Sequence, residues 1–263
     1  PSITARPGFL SQARYAPHGD YNAIAIAPSN VGDTFTETVR AFNLAERFRT
    51  PVTLLLDEVI GHSREIITIP EEGEIELYER TRPTCKPEEF VPYEMTPNGV
   101  NPIPSYGEGY RYNVTGLTHD IHGFPTNRAD EIKPKLDKLR FKIENFKDEI
   151  IKLRTKMIDD AEYLFVSYGS VSRTALQATM LAREAGVKVG CIQLCTIWPF
   201  PEEQLQDLCS KAKKIIVAEL NMGQIIHEVR RVLPRDTEIH PLQRYDGEIL
   251  TPMQLLGKLE EVL

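Results

Sequence analysis

His119-Asp120-Ile121-His122 puts two imidazoles and a carboxylate within four residues. These are zinc-ligand types, but no third partner is evident beside them, so no metal is expected. His18-Gly19-Asp20 sets an imidazole and a carboxylate in one short turn before an apolar run. Such a pair could carry protons, and it also reads as a plain turn. Gly169-Ser170-Val171-Ser172 follows a strand-like run and opens a helical pattern. Helix N-termini bind phosphate, yet neither G-x-G-x-x-G nor G-x-x-x-x-G-K-[ST] is present. A β-to-α turn capped by serine is the expectation. Cys85, Cys191, Cys195 and Cys209 form no C-x-x-C pair, and Cys191 lies in an apolar run. Iron–sulfur clusters need thiolates at short spacing, so none is expected on this chain. The low cysteine count suits a reducing cytoplasm. No nucleophile elbow and no H-E-x-x-H appears.

The elements that must position these residues fall into three regions. Over residues 1–70, Tyr21 to Pro28 predicts a strand, and Ser29 or Asn30 caps the helix after it. Phe35, Val39, Phe42 and Phe48 mark that helix's apolar face, and Thr50-Pro51 ends it. Val52 to Leu56 predicts a second strand, so the unit is βαβ with a parallel sheet. Asp57 and Glu58 then fall at the carboxyl end of the second strand, where ligands of open α/β sheets gather.

Residues 71–158 form an expected linker and long helix. The stretch 71–126 is rich in proline, glycine and tyrosine. Its aromatics argue for an ordered, extended arm and against disorder. Ile132, Leu136, Leu139, Ile143, Phe146, Ile150, Leu153 and Met157 then alternate spacings of 4 and 3. That period predicts one helix over 128–158 with a narrow apolar seam. The seam would pack inside the subunit or join a dimer. Pro134 suits only a first turn, which puts the regular helix start near Ile132 or Lys133.

Over residues 159–263, Tyr163 to Tyr168, Val187 to Leu194 and Ile215 to Ala218 predict strands. Helices follow each, with Gly186 as a C-cap glycine. A rigid Trp198-Pro199-Phe200-Pro201 turn precedes the helix from Glu202, and the last helices run Gln224 to Leu233 and Pro252 to Val262. This β-α order predicts a second parallel α/β domain.

The 263 residues carry a formal charge of −7. That balance argues against a protein that grips nucleic acid by charge. No run approaches a membrane span, and no signal-peptide pattern opens the chain.

Several segments in combination resemble a known family. They are Gln12-Ala13-Arg14-Tyr15, His18-Gly19-Asp20, Arg40 to Glu46 (RAFNLAE), and Pro51-Val52 leading to Asp57-Glu58-Val59-Ile60-Gly61-His62. Thr115-Gly116-Leu117 with His119-Asp120 resembles a T-G-x-E-H-D segment, with Thr118 where glutamate is expected. Glu219-Leu220-Asn221 with Gly223-Gln224 resembles an E-x-N-x-G-Q turn. The family is the alpha subunit of 2-oxoacid:ferredoxin oxidoreductases, nearest to the 2-oxoglutarate (KorA-like) type.

The resemblance implies an α/β chain: part of a pyrimidine-type thiamine-diphosphate domain, then a transketolase C-terminal-like domain. It implies oxidative decarboxylation of a 2-oxoacid such as pyruvate or 2-oxoglutarate to acyl-CoA, with ferredoxin reduced. Thiamine diphosphate and magnesium would be shared with a beta subunit, and coenzyme A would be a substrate. Iron–sulfur clusters would sit on partners, which include gamma and ferredoxin-like delta subunits in a dimer of heteromers. Thr4, Arg14, His18 and Asp20 are then candidates for cofactor or substrate binding. Asp57, Glu58, His62, His119, Glu219 and Asn221 are candidates for the pocket or an interface. The family's Y-P-I-T-P-S segment, its activating carboxylate and its substrate arginine are not found, so no catalytic residue is assigned. The first half of the pyrimidine-type domain is expected to lie outside this chain, and the chain alone is expected to be inactive.

Overall fold

Ile24–Ile26 is apolar on both faces and wholly buried, as a central strand requires, and forms β1. The computed structural model of the chain describes residues 10–15, 20–71 and 73–263. Thr4, His18 and Gly19 lie outside the described residues. A short helix α1 (Leu10–Tyr15) precedes β1. After β1, Asn30 caps α2 (Val31–Phe48) by accepting Asp33 N–H at 2.8 Å. Arg49 ends the helix in the left-handed region, φ 45°. Then β2 (Val52–Leu54) pairs in parallel with β1, giving the expected βαβ unit. A five-residue helix α3 (Glu58–His62) follows, with Asp57 at its N-cap.

The stretch 71–126 is an extended arm, with one 3-10 turn at Pro87–Glu89 and one bridge from His119 to Pro125 among the described residues. It packs against α4 (Ala129–Glu144). At Gly99, φ 72°, an added Cβ would stand 2.9 Å from Lys142 Cβ, so only glycine permits so close an approach.

The single long helix over 128–158 is not formed. The chain leaves helical geometry at Phe146, makes one turn as α5 (Lys147–Ile150), and extends as β3 (Leu153–Lys156). Two long-range partners draw it out. Lys152 N–H donates to Thr196 Oγ1, and Leu153 to Lys156 pair antiparallel with Leu194 to Cys191. The seam is kept only in part. Leu136 is exposed, while Ile143 and Ile150 are buried with Phe146 against Ile24, Leu44 and Phe48, inside the subunit, and α4 also buries Lys138 and Lys142. The helix also begins earlier than expected, at Ala129, with Pro134 in its second turn. The apolar face expected on α2 is corrected too. Phe42 is 69% exposed, and the buried positions are Asp33, Glu37, Leu44 and Phe48. Cations from β3 and its approach reach those two acids, so a polar face turns inward.

Beyond the arm lie β4 (Tyr163–Ser167), α6 (Val171–Glu184), β5 (Val189–Leu194), β6 (Thr196–Trp198), α7 (Glu202–Cys209), β7 (Lys214–Glu219), α8 (Ile225–Val232), β8 (Glu238–Gln243) and α9 (Pro252–Val262). The second sheet runs β3-β5-β4-β7-β8, parallel except for β3. The first runs β2-β1-β6. β6 was not foreseen. Directly after β5 the chain crosses to the first sheet, pairs antiparallel with β1, and Cys195 C=O accepts Ala27 N–H at 2.8 Å. One apolar core therefore spans both sheets, from Ala25 and Ile197 to Val166, Ile192 and Val217. A second core lies under α6 and α9 on the other face of the larger sheet.

Candidate functional site

Three helices that follow parallel strands start at the sheets' carboxyl edges and face one another: α2 after β1, α6 after β4, α8 after β7. Each start presents free N–H groups and the positive end of a helix dipole. Each is closed by a carboxylate of the chain itself. Glu65 Oε2 accepts Val31 N–H at 3.2 Å on α2. Asp57 Oδ2 accepts Ser170 N–H at 2.6 Å at the start of α6. Glu219 accepts Gln224, Ile225 and Ile226 N–H at 3.0, 2.9 and 3.2 Å on α8. Ser170 makes no side-chain cap, contrary to expectation: Ser172 and Arg173 N–H bond the carbonyls of Gly169 and Ser170 instead. Gly169 (φ 59°) lets Asp57 approach: an added Cβ there would meet Asp57 Oδ2 at 2.6 Å.

Both Asp57 and Glu219 are buried. Burial raises both carboxyls above their ordinary range, opposed by the N–H donors on each. Asn221 accepts Gly223 and Gln224 N–H at 2.8 and 2.9 Å and donates to Tyr168 Oη at 2.7 Å. Burial, then Glu219 and Asp57 nearby, holds the Tyr168 hydroxyl well above its usual value, so it stays protonated.

Between these helix starts lies a cleft of about 180 Å³. Ser29, Val59, Ile60, Ser170, Val171 and Leu220 contribute to its walls. Ser170 Oγ is buried near the Asp57 carboxylate without a well-formed hydrogen bond among the described residues, and Glu58 Oε2, one residue before Val59, likewise has none. An ion pair from Glu65 to Arg173 stands beside it. Behind Ser29 lies a buried ionic network. Ser29 Oγ donates to Asp33 at 2.5 Å, and Arg154 donates to the same oxygen at 2.6 Å. Burial would raise Asp33, but the bonds from Arg154 and Ser29 prevail and hold it below its ordinary range. Glu37, 1% exposed, accepts Arg40 at 2.7 Å and Lys152 at 2.5 Å.

The other candidates stand apart from this cleft. Arg14 lies over the rings of Trp198, at 5.4 Å, and Tyr15, at 5.8 Å. It lines a separate cavity of about 160 Å³. Asp20 is exposed. His62 is exposed, 3.6 Å from Glu58 Oε1. His119 is buried in the arm, 2.8 Å from Thr115 Oγ1 and stacked on Tyr93. Burial and then Lys135 lower its pKa. Asp120 turns back to accept His122 and Phe124 N–H. Among the described residues no group of three His, Cys, Asp or Glu is placed to hold a metal.

A family model described as pyruvate flavodoxin/ferredoxin oxidoreductase, thiamine diphosphate-binding, matches residues 3–138. The chain belongs to the pyruvate flavodoxin/ferredoxin oxidoreductase family. A second model, pyruvate:ferredoxin oxidoreductase core domain II, matches residues 161–255. Among the family's curated members, the 2-oxoglutarate synthase subunit KorA of Methanothermobacter marburgensis is 43% identical over 251 residues, 95% of this chain and 66% of that one. KorA of Methanocaldococcus jannaschii is 40% identical over 95% of this chain and 67% of its own. The ketoisovalerate oxidoreductase subunit VorB of Methanothermobacter thermautotrophicus is 28% identical over 93% and 62%. The chain thus spans about two thirds of the length of these relatives. A solved 2-oxoglutarate:ferredoxin oxidoreductase from Magnetococcus marinus, with 2-oxoglutarate, coenzyme A and succinyl-CoA bound, superposes with a TM-score of 0.90. It is 24% identical over 96% of this chain and 44% of that one, which establishes the shared α/β fold.

Sequence reasoning missed the buried Ser170 hydroxyl, Glu65, and the Asp33–Arg154 and Glu37–Arg40 network. Their partners lie on distant elements, so no local pattern announces them. No helix among the described residues is long and apolar enough to cross a membrane.

Proposed function

We propose that the chain is the alpha subunit of a thiamine-diphosphate-dependent 2-oxoacid:ferredoxin oxidoreductase whose oxoacid is 2-oxoglutarate. The reaction is oxidative decarboxylation to an acyl-CoA, with electrons passed to ferredoxin. One observation carries the choice of oxoacid. Identity is 43% to a relative named for 2-oxoglutarate and 28% to one named for ketoisovalerate. Residues 1–70 serve as the second half of the pyrimidine-type domain, 71–158 as the linking arm and helices, and 159–263 as the transketolase C-terminal-like domain.

Thiamine diphosphate, when bound, supplies the carbanion chemistry that decarboxylates the oxoacid. The carboxyl-edge cleft suits the ring end of that cofactor. Val59, Ile60, Val171 and Leu220 give apolar walls, and Ser170 Oγ is a buried polar group without a well-formed hydrogen bond among the described residues. The same edge does not suit the diphosphate, since Glu65, Asp57 and Glu219 already fill the helix ends where phosphate would bind. The diphosphate and magnesium therefore belong to a beta subunit. Iron–sulfur clusters belong to partners as well, since the four cysteines form no closely spaced set in the sequence. Gamma and ferredoxin-like delta subunits complete the assembly, a dimer of heteromers in the cytoplasm.

The test is co-expression with the matching beta subunit, then assay of 2-oxoglutarate- and coenzyme A-dependent viologen reduction. Activity that needs both subunits and prefers 2-oxoglutarate over pyruvate and 2-ketoisovalerate is expected. An assembled complex that reduces viologen with neither oxoacid class, or equally well without this chain, would overturn the proposal.

A further inference from the structure

Four cations converge where the arm crosses α4 and the end of α2. Lys138 Nζ donates to Glu94 C=O at 3.0 Å and to Asn101 Oδ1. Lys142 Nζ donates to Arg49 C=O at 2.9 Å. Both lysines are buried. Arg49, half-buried, has no hydrogen bond or ion pair from its guanidinium among the described residues. Burial first lowers the pKa of Arg49, to which Arg80 adds, and burial and then Arg49 lower those of Lys138 and Lys142. The one carboxylate in contact with the group is Glu46, paired with Arg80 at 2.6 Å. Buried cations are ordinarily matched by carboxylates. These are held by carbonyls, which satisfy donors but do not cancel charge.

Beside them opens a cavity of about 290 Å³. Glu46, Arg49, Thr50, Arg80, Thr81 and Asn101 line it. It lies at the amino end of β2, which begins at Val52, and so at the opposite edge of the first sheet from the carboxyl-edge cleft. We propose that this cavity is a phosphate-binding site, taking the phosphate of a small anionic ligand between Arg49 and Arg80. The inference is independent of the thiamine reading.

The chemistry favours phosphate over a lone carboxylate. Two guanidinium groups offer planar forks of donors that match a tetrahedral oxyanion. Arg80 keeps donors to spare after its bond to Glu46. Lys138 and Lys142 stand behind as fixed charge, which a dianion offsets better than a monoanion. The arm lies tight against the cluster: a Cβ added at Gly99 would stand 2.9 Å from Lys142 Cβ.

The test is calorimetric titration of the full chain, in its native assembly, with inorganic phosphate and with adenosine monophosphate. Potassium chloride holds the ionic strength constant. Saturable binding of at least one is expected. Binding of both points to free phosphate or any phosphoester, and binding of the nucleotide alone to phosphate carried on a larger ligand. Arg49→Asn should weaken binding at least tenfold. Asparagine tolerates the left-handed backbone at this position, so the melting temperature in phosphate-free buffer should hold. Arg80→Gln, at an exposed position, should weaken binding several-fold and serves if the first variant folds poorly. No saturable binding of either probe, or unchanged affinity in both variants, overturns the proposal.

Discussion

Asp57 Oδ2 accepts the backbone N–H of Ser170 at 2.6 Å, joining the end of the first βαβ unit to the first helix of the second sheet, 113 residues on. Asp57 is buried and Ser170 partly so, and the glycine before Ser170 has a conformation that lets the carboxylate in. It fixes the relative position of α3 and α6, which form opposite walls of the carboxyl-edge cleft. Removing the acceptor should therefore cost more than an exposed cap. Asp57→Ala is expected to lose roughly 1–3 kcal/mol, the cost of a buried unpaired donor. Asp57→Asn keeps an acceptor and loses the charge. Burial raises the Asp57 pKa above 3.8 in the fold. A raised carboxyl contributes stability below its unfolded pKa and loses it as pH rises through the folded value. At neutral pH the asparagine variant should thus match or exceed the wild type, and its advantage should shrink as pH falls. Urea melts at pH 7 and pH 4 measure this, and an advantage that grows on acidification would refute it.

The lysines of α4 give a prediction of the opposite sense on the pH axis. Burial first, then Arg49 and Lys138, lower Lys142 from 10.5 to about 8. A depressed lysine contributes stability above its unfolded pKa and loses it as pH falls through the folded value. Its cost is therefore present at pH 7 and disappears between about 8 and 10.5. Lys142→Met keeps the stem and drops the charge. It is expected to stabilise the chain by roughly 1–3 kcal/mol at pH 7, less than the shift alone implies, because Arg49 C=O loses a donor. The gain should fade towards pH 10. Lys138→Met should instead destabilise at pH 7, since Glu94 C=O and Asn101 Oδ1 both lose their donor. Equal effects from the two substitutions would contradict this reading.

Thiol labelling separates the four cysteines. Burial pushes Cys195 up to about 11 and Cys209 up to about 12, and raises Cys191. The thiolate is the reacting form, so these three are protected twice, by access and by protonation. Cys85, half-buried in the arm, is the accessible one. Mass spectrometry after brief treatment with a maleimide should find one modified thiol in the native chain and four in guanidinium. Rapid native modification of Cys195 would contradict its burial at the crossing between the sheets.

The elements that could be read from the sequence are those whose signals are local. The Asn30 cap, the apolar β1, the Gly186 stop and the last helix all announce themselves within a few residues, the last through a Thr251–Gln254 capping box. β3, β6 and β8 do not, because each exists by virtue of a distant partner. β6 is three residues long and pairs with β1. β8 is an edge strand with His240 and Pro241, too polar to read as a parallel-sheet strand. The long-helix expectation failed for the same reason. A spacing of 4 and 3 continues by chance from α4 into β3, and only Leu194 to Cys191 of β5 decide that the last residues extend. Site residues divide similarly. Glu219 closes a helix that begins six residues later, so its role was within reach of the sequence. Asp57 closes one across the two sheets, so only its residue type and place at a strand end were visible.

The Glu37–Arg40 pair tests whether the buried network acts as a unit. Glu37 Oε2 accepts Arg40 Nη1 at 2.7 Å, and Arg40 also reaches Thr196 Oγ1 at 2.9 Å and Ile150 C=O. Glu37→Gln leaves Arg40 and Lys152 facing each other without the charge that separates them. Breaking one side of a buried ion pair typically costs about 3–5 kcal/mol. The glutamine still accepts one bond, so about 2–4 kcal/mol is expected. Arg40→Met leaves Glu37 with Lys152 and, at 3.9 Å, Arg154, and strips a donor from Thr196 and Ile150. Its loss should be comparable. In the double variant the remaining charges are better matched than in either single one, so its loss should fall at least ~1 kcal/mol short of the sum. Chemical denaturation of the four proteins completes the cycle. Strict additivity would mean that the two side chains act separately, and that Asp33–Arg154 and Glu37–Lys152 hold α2 to β3 and its approach without help from Arg40.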